Sequence, residues 1–196
     1  QSDAIVARVR PVAGGRVPDL LRRASYNLYR SGTWHTADAG MTVLAPSGDG
    51  MTWVLAPDPL AGGESVAVSF SLKRGQGLLA LPPGVFRVEG LLAGSALRGK
   101  FGAVIVDEGP GLASYRALFS SSSHAAAGPD KADLAVPEPD AALMSRLARE
   151  LALNPKNPAD AMARITRFFD KGFSYSTYQE AAGAGEKPLE RFLLKT

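Results

Sequence analysis

One stretch of the chain has the spacing of a phosphate-binding loop. Gly94 and Gly99-Lys100 match that motif as far as the lysine, but Phe101 stands where the motif needs a Ser or Thr hydroxyl to hold magnesium. The run also leads into strand-like sequence, whereas a phosphate loop leads into a helix whose backbone amides face the phosphate. We therefore predict a hairpin connection here and no nucleotide cofactor.

Two sets of polar residues could carry metal or hydrolytic chemistry. His35 and Asp38 are close enough in sequence to share a metal ion, and Ser121, His124 and Asp130 contain the side chains of a hydrolytic triad. The first pair has no further ligand nearby, and Ser121 lies in low-complexity sequence without the motif of an activated serine. We predict no metal site and expect a turn at the pair and a solvated linker at the triad residues.

The N-terminal region combines arginines with aromatic residues. Six arginines occur in the first 30 residues, at positions 8, 10, 16, 22, 23 and 30. A nucleic-acid interface would add a recognition helix or aromatic side chains along a groove, and neither is evident, so we predict a solvated strand face and no nucleic-acid partner. Tyr26 and Tyr29 fall on opposite faces of a strand, so we assign them and the nearby Trp34 to core packing.

Composition limits the class of protein. The 196 residues include 22 Lys and Arg against 19 Asp and Glu, 45% hydrophobic residues and no cysteine. These values are typical of a globular chain and exclude disulfide scaffolds, thiolate metal sites and a cysteine nucleophile within these residues. The apolar runs are short and interrupted, so none provides the roughly 20 residues of a membrane helix.

From residue 4 to about 120 the hydrophobic period is two. Val66, Val68, Phe70 and Leu72 alternate with small polar residues, as expected of a strand with one buried face. Ser47 to Gly50 has the glycines of a tight turn and predicts a hairpin between 41–45 and 51–56. About eight such strands without intervening helices predict an antiparallel β-sandwich domain over residues 1–122.

After residue 122 the composition changes twice. Residues 123–139 are rich in Ala and Pro and are predicted to form a linker. In residues 140–196 the period becomes helical: Leu143, Leu147 and Leu151 form one apolar stripe, and Asn157 caps a second helix that begins at Pro158. A third helical turn follows Pro188. The predicted fold is therefore mainly β with a C-terminal helical part (α+β): an antiparallel sandwich followed by two to three short helices.

The C-terminal pieces resemble the start of a known enzyme core. The capped helix after Asn157, the segment Phe173-Ser174-Tyr175-Ser176 and the run from Pro188 to Leu193 resemble the opening of the bacterial transglutaminase-like, papain-related core. The upstream segments Tyr26 to Trp34 and Leu79 to Val85 resemble the extracytoplasmic β-rich region of membrane-anchored members of that family. The resemblance covers nearly the whole chain through short, degenerate motifs.

The resemblance implies a function for the whole protein and an inactive role for this part. Family members use a Cys-His-Asp triad for acyl transfer or peptide hydrolysis, and these residues would lie beyond Thr196, after a Gly-x-Cys motif, so no catalytic residue is assigned here. Tyr175 would be an accessory donor on the oxyanion side or, as the alternative, a packing residue. The expected partners are the remaining core in cis and a protein or peptide substrate, in a periplasmic or extracytoplasmic protein whose membrane anchor lies outside this chain.

Two further functions stay open at this point. The sandwich could be a self-contained module that binds a glycan, a peptide or a protein, and a gene that stops at Thr196 would favour it. An independent enzyme using serine or carboxylates would need acids such as Asp107 and Glu108 to converge in a pocket. If the chain is the start of a transglutaminase-like core, we expect the apolar stripe Phe192-Leu193-Leu194 to pack against the following helix, which would bear the nucleophile.

Overall fold

The computed structural model describes residues 5–12, 16–30, 33–36, 40–59, 63–120, 128–129, 131, 133–174 and 188–194. The chain divides into two compact units, one formed by 1–27 with 36–129 and the other by 28–35 with 130–196. The described elements are β1 (Ala7–Pro11), β2 (Leu28–Arg30), β3 (Thr33–His35), β4 (Thr42–Leu44), β5 (Trp53–Val54), β6 (Glu64–Ser71), β7 (Gly77–Leu78), β8 (Val85–Glu89), β9 (Ser95–Arg98), β10 (Val104–Asp107), β11 (Leu112–Phe119), α1 (Glu138–Glu150), α2 (Pro158–Gly172) and α3 (Pro188–Leu194).

The first unit contains two antiparallel sheets. One has five strands in the order β1-β6-β11-β8-β5, and the other has four in the order β4-β9-β10-β7. The two longest strands, β6 and β11, pair along their whole length at the centre of the larger sheet, with Val68 opposite Tyr115. Strand β1 pairs only with β6 and therefore forms an edge of that sheet.

The core lies between these two sheets. Alternate residues of β6 and β11 point inward, and they form one buried cluster with residues of β9 and β10 such as Ala96, Val104 and Val106. Burial of one face of each sheet is the arrangement of a β-sandwich. The predicted fold class, mainly β with C-terminal helices, is confirmed.

The predicted hairpin between 41–45 and 51–56 is wrong. The turn itself forms, because Asp49 Oδ1 accepts the backbone N–H groups of Met51 and Thr52, both at 2.9 Å. Beyond the Pro46–Trp53 bridge the strands separate: β4 joins β9 in the smaller sheet and β5 joins β8 in the larger one. The turn is therefore a crossing between the two sheets.

The glycine-rich run at 94–101 belongs to a hairpin, as predicted. Ser95 to Arg98 form β9, and a turn at 99–103 connects it to the antiparallel strand β10. Gly99 closes this turn by accepting the backbone N–H of Gly102 at 2.9 Å and by donating to Ala103 at 2.8 Å. A strand follows the motif, so no helix N-terminus is available there to bind phosphate.

The second unit consists of the β2–β3 hairpin and the three helices, each described here by itself. Helix α1 begins at Glu138, two residues before the predicted start of the helical region at 140. The predicted linker 123–139 lies partly outside the described residues. Inclusion of residues 28–35 in this unit was not anticipated from the sequence.

Candidate functional site

Helix α2 has well-defined ends, for the reasons visible in its sequence. The side chain of Asn157 accepts the backbone N–H of Asp160 at 3.2 Å, and Pro158 occupies the first turn. Asp160 also pairs with Arg164 one turn later at 2.8 Å. These features satisfy the free backbone donors of the first turn and place negative charge at the positive end of the helix.

A short connection joins α1 to α2. Leu153 donates its backbone N–H to Ala148 at 2.9 Å, and Ala152 donates to Arg149 at 3.0 Å with a φ of 49° at Ala152. This is the hydrogen-bond pattern of a Schellman-type helix end, in which one residue adopts the left-handed conformation. The side chain of Asn154 then accepts the backbone N–H of Lys156 at 2.9 Å and completes the loop.

Four phenylalanines form what we call the aromatic cluster: Phe168, Phe169, Phe173 and Phe192. Phe168 and Phe169 come from the last turns of α2, Phe173 follows that helix, and Phe192 comes from α3. The ring centroids of neighbouring members lie 4.8–5.2 Å apart in tilted or edge-on arrangements. Such geometry is favoured by the charge distribution of aromatic rings, so the cluster holds α3 against the end of α2.

The aromatic cluster is only partly covered. Phe192 remains 50% exposed, although the neighbouring Leu193 is 8% exposed and thus buried. The stripe Phe192-Leu193-Leu194 is therefore split, because the described chain covers Leu193 and leaves one face of Phe192 open. Phe169 and Met162 of α2 are also exposed, which extends the apolar surface along this helix.

An open groove of about 450 Å³ runs between the end of α1 and the last turns of α2. Leu151 and Phe168 supply its apolar surface, and charged side chains of both signs also line it: Arg164, Arg167, Lys171 and Glu150. In α2 these three cations fall on one flank of the helix beside Phe168. Arg164 is paired with Asp160, so the groove combines an apolar surface with partly compensated charge.

The apolar stripe predicts α2 from the sequence, but it does not identify these cations as a group. Their spacing, at positions 164, 167 and 171, is that of side chains on one face of a helix and was available from the sequence alone. Leu151 lines the other side of the groove because the chain turns sharply at Ala152. The sequence around Ala152 matches no common turn motif, so this turn was not predicted.

Most of the predicted catalytic candidates lie outside the described residues. This applies to Tyr175 and also to Asp38, Ser121, His124 and Asp130. His35 is described and is exposed in β3. Among the residues that the structure describes, no three His, Asp or Glu side chains come together in a way that could hold a metal ion.

Asp107 and Glu108 are neighbours at the end of β10 but have separate surroundings. Asp107 Oδ1 accepts the backbone N–H of Glu108 at 2.7 Å. Glu108 has a φ of 54° and directs its side chain against Gly94. Both acids thus take part in contacts of the turn that follows β10.

The prediction that Tyr26, Tyr29 and Trp34 pack in the core is wrong for two of them. Tyr26 is 57% exposed and Trp34 is 58% exposed. Tyr29 and Trp34 are cross-strand partners in the β2–β3 hairpin, with ring centroids 5.3 Å apart. Tyr29 and Trp34 therefore cover part of each other's ring surface across the hairpin.

Comparison with known proteins adds no relative. No family model, curated protein or solved structure gives a significant match to this chain. Its described helices include none that is both long enough and apolar enough to span a membrane.

Proposed function

We propose that this chain is a non-catalytic extracytoplasmic part of a transglutaminase-like protein and that its helical unit supports and positions the acyl-transfer core. Phe192 carries the proposal, because it packs on Phe173 at 4.9 Å and keeps half of its surface open. The aromatic cluster thereby joins the segments that resemble the opening of the transglutaminase-like core. In the family that this sequence resembles, the next helix of the core bears the nucleophile.

The order of elements supports the same assignment. Helix α2 is capped at Asn157, the segment beginning with Phe173 follows it, and α3 spans Pro188–Leu194. The aromatic cluster joins these segments into one surface, and a following helix would pack against that surface. The role of the chain would then be mechanical: it would fix the orientation of the core without touching the reacting atoms.

The proposal is tested first by assaying the purified 196-residue chain. It should neither incorporate a fluorescent amine into a glutamine-bearing protein nor hydrolyse peptides in the presence of a thiol reductant. Turnover above that of buffer would show a complete active site within these residues and would overturn the non-catalytic role.

The supporting role is tested separately in the full-length protein. Phe192→Ser should lower acyl-transfer turnover or the stability of the core, because the surface formed by the aromatic cluster loses its aromatic face. Leu20→Ser changes an apolar residue of the sandwich unit that is more exposed than Phe192, 78% against 50%, and serves as the control. Equal effects of the two substitutions would contradict a specific role for Phe192.

A self-contained binding module for a glycan, a peptide or a protein is the second candidate. The observation that favours it is the open groove beside Phe168, because a concave surface with both apolar and charged groups is a common form of ligand site. In that case the isolated chain would retain full affinity for its ligand, and the substitution Phe168→Ala would reduce that affinity.

A further inference from the structure

The outer face of the five-stranded sheet carries small residues on β6 between the longer side chains of β1 and β11, and we call this strip the β6 trough. Its floor consists of Ala67 and Ser69, two small residues on the solvent side of β6. The register places Arg10 opposite Ala67 and Arg8 opposite Ser69 on one side. On the other side β11 continues both rows, with Ser114 opposite Ser69 and Arg116 opposite Ala67.

The two rows across the trough differ in chemistry. The first runs from Arg8 through Ser69 to Ser114, whose hydroxyl lies 2.9 Å from that of Ser69. The second runs from Arg10 through Ala67 to Arg116. Paired residues of neighbouring strands point to the same face, so both rows project their side chains outward. Since two strand spacings amount to about 10 Å, the trough is about that wide between its walls.

The positive charge of the trough is concentrated on its edge strand. On β11, Arg116 is neutralised by Glu89, whose Oε2 accepts a hydrogen bond from the Nε–H of Arg116 at 2.9 Å. Arg8 and Arg10 are exposed and make no ion pair with any other residue that the structure describes. Two uncompensated guanidinium groups thus stand two residues apart above a floor that contains serine hydroxyls.

We propose that the β6 trough binds a linear anionic polysaccharide, with its carboxylate or sulfate groups on Arg8 and Arg10 and its sugar hydroxyls on Ser69 and Ser114. Arginine presents several donors in a planar fork that suits both acidic groups. Serine hydroxyls both donate and accept, which suits a hydroxyl-rich chain. This inference is independent of the function proposed above, since it concerns a different surface.

The same surface disfavours a nucleic acid. Sequence-specific binding of a duplex uses a helix or a β-ribbon that enters a groove, and this sheet face presents neither among the described residues. Single strands are held largely by stacking of bases on aromatic residues, whereas the floor of the trough is Ala and Ser. Charge alone would attract both polymers, so the floor is the feature that distinguishes them.

The test measures binding of the full chain to a sulfated glycosaminoglycan and to polygalacturonate at physiological salt, with neutral dextran as the blank. The double variant Arg8→Gln/Arg10→Gln should weaken binding about tenfold or more, because each change removes a charge-assisted hydrogen bond. The variant Arg149→Gln/Lys156→Gln lowers the net charge equally in the helical unit and should change binding less than twofold. Which acidic polymer binds more tightly identifies the anionic group.

A third variant tests the floor at constant charge. Ser69→Phe places a large ring between the walls, suits an exposed strand position and should weaken binding at least fivefold. Thermal melts of all variants check that the sandwich still folds. The proposal is overturned by equal weakening in both charge variants, by unchanged affinity of Ser69→Phe, or by no binding to either anionic polymer. Tighter binding to oligodeoxythymidine would assign the surface to nucleic acid instead, and self-association lost in the Arg8/Arg10 variant would assign it to a second copy.

Discussion

The ring of Phe173 lies against the ring of Phe192, with centroids 4.9 Å apart and the planes tilted by 50°. Phe173 immediately follows α2, and Phe192 lies on the seven-residue helix α3. A helix of that length is unstable by itself in water, because nucleation costs more than its few hydrogen bonds return. The contact between Phe173 and Phe192, together with burial of Leu193, therefore contributes to the stability of α3.

The first prediction concerns this contact. Phe192→Ala should destabilise α3 by about 1–2 kcal/mol, roughly half the cost of removing a fully buried phenylalanine. Hydrogen exchange of the backbone amides in α3 should become faster, while exchange in the β-sandwich stays the same. Phe192→Leu retains apolar contact and should show a smaller change. Unchanged exchange in the alanine variant would mean that α3 is held by other contacts.

The second prediction concerns Tyr115, whose buried hydroxyl donates to the carbonyl of Ala80 at 2.6 Å. Burial raises the pKa of Tyr115 far above the usual tyrosine value near 10. Above pH 10 the unfolded chain therefore releases this proton while the folded chain keeps it. The free energy of unfolding should fall by about 1.4 kcal/mol per pH unit from this group until the pH reaches its folded pKa, and no loss from it is expected below pH 10.

Urea unfolding between pH 8 and 11 measures this effect against Tyr115→Phe. The variant loses the hydrogen bond to Ala80 and should be less stable by about 1–3 kcal/mol at neutral pH. Its stability should decline less steeply above pH 10, so the difference between the two proteins narrows there. Parallel curves over the whole range would show that Tyr115 ionises normally in the folded protein.

The third prediction concerns Asp49 at the turn between the sheets. Its Oδ2 accepts the Thr52 hydroxyl at 2.7 Å, and its Oδ1 accepts two backbone N–H groups. These bonds, that of the Thr52 hydroxyl first, lower the pKa of Asp49. The carboxylate therefore stabilises the fold above the ordinary aspartate pKa, and this contribution is lost as the pH falls through the lowered value.

Carbon NMR of the Asp49 carboxyl group measures this pKa directly. The titration midpoint should lie below that of an unperturbed aspartate and should rise in Thr52→Val, which removes the hydroxyl donor. Ser47→Ala changes a neighbouring residue whose side chain makes no recorded bond to Asp49 and should leave the midpoint in place. A midpoint that Thr52→Val does not move would eliminate the hydroxyl as the cause.

The fourth prediction concerns the cap of α2. Asn157→Ala removes the acceptor for the Asp160 backbone N–H and should destabilise the helical unit by about 1 kcal/mol. Asn157→Ser retains a capping oxygen and should cost only a few tenths of that amount. Helix content by circular dichroism during thermal unfolding compares the variants. Equal melting of all three proteins would show that α2 does not depend on its cap.

Local sequence patterns predicted the elements better than their partners. The alternation in β6 follows from the burial of one sheet face, and α2 was predicted from its cap and apolar stripe, since both signals lie within a few residues. The pairing of β5 was not predicted, because it depends on burial of Trp53, whose indole Nε1 donates to the distant Leu91 carbonyl at 3.0 Å. Contacts across 38 residues leave no periodic signal in the chain.

The candidate sites were predicted unevenly for a similar reason. The aromatic cluster combines Phe168 and Phe169 from one helix with two residues from elsewhere, so only half of it is visible as a local pattern. The β6 trough depends on the register that sets Arg10 beside Ala67. Register is decided by the whole sheet, and a shift of one residue would turn the arginines toward the other face.

We propose that the helical unit is the opening of a transglutaminase-like core. The most direct measurement is the nucleotide sequence of the gene beyond the codon for Thr196. We predict that the reading frame continues into a Gly-x-Cys motif at the start of a helix, followed by the histidine and aspartate of the triad. A stop codon at that point, or a continuation without this cysteine, would contradict it.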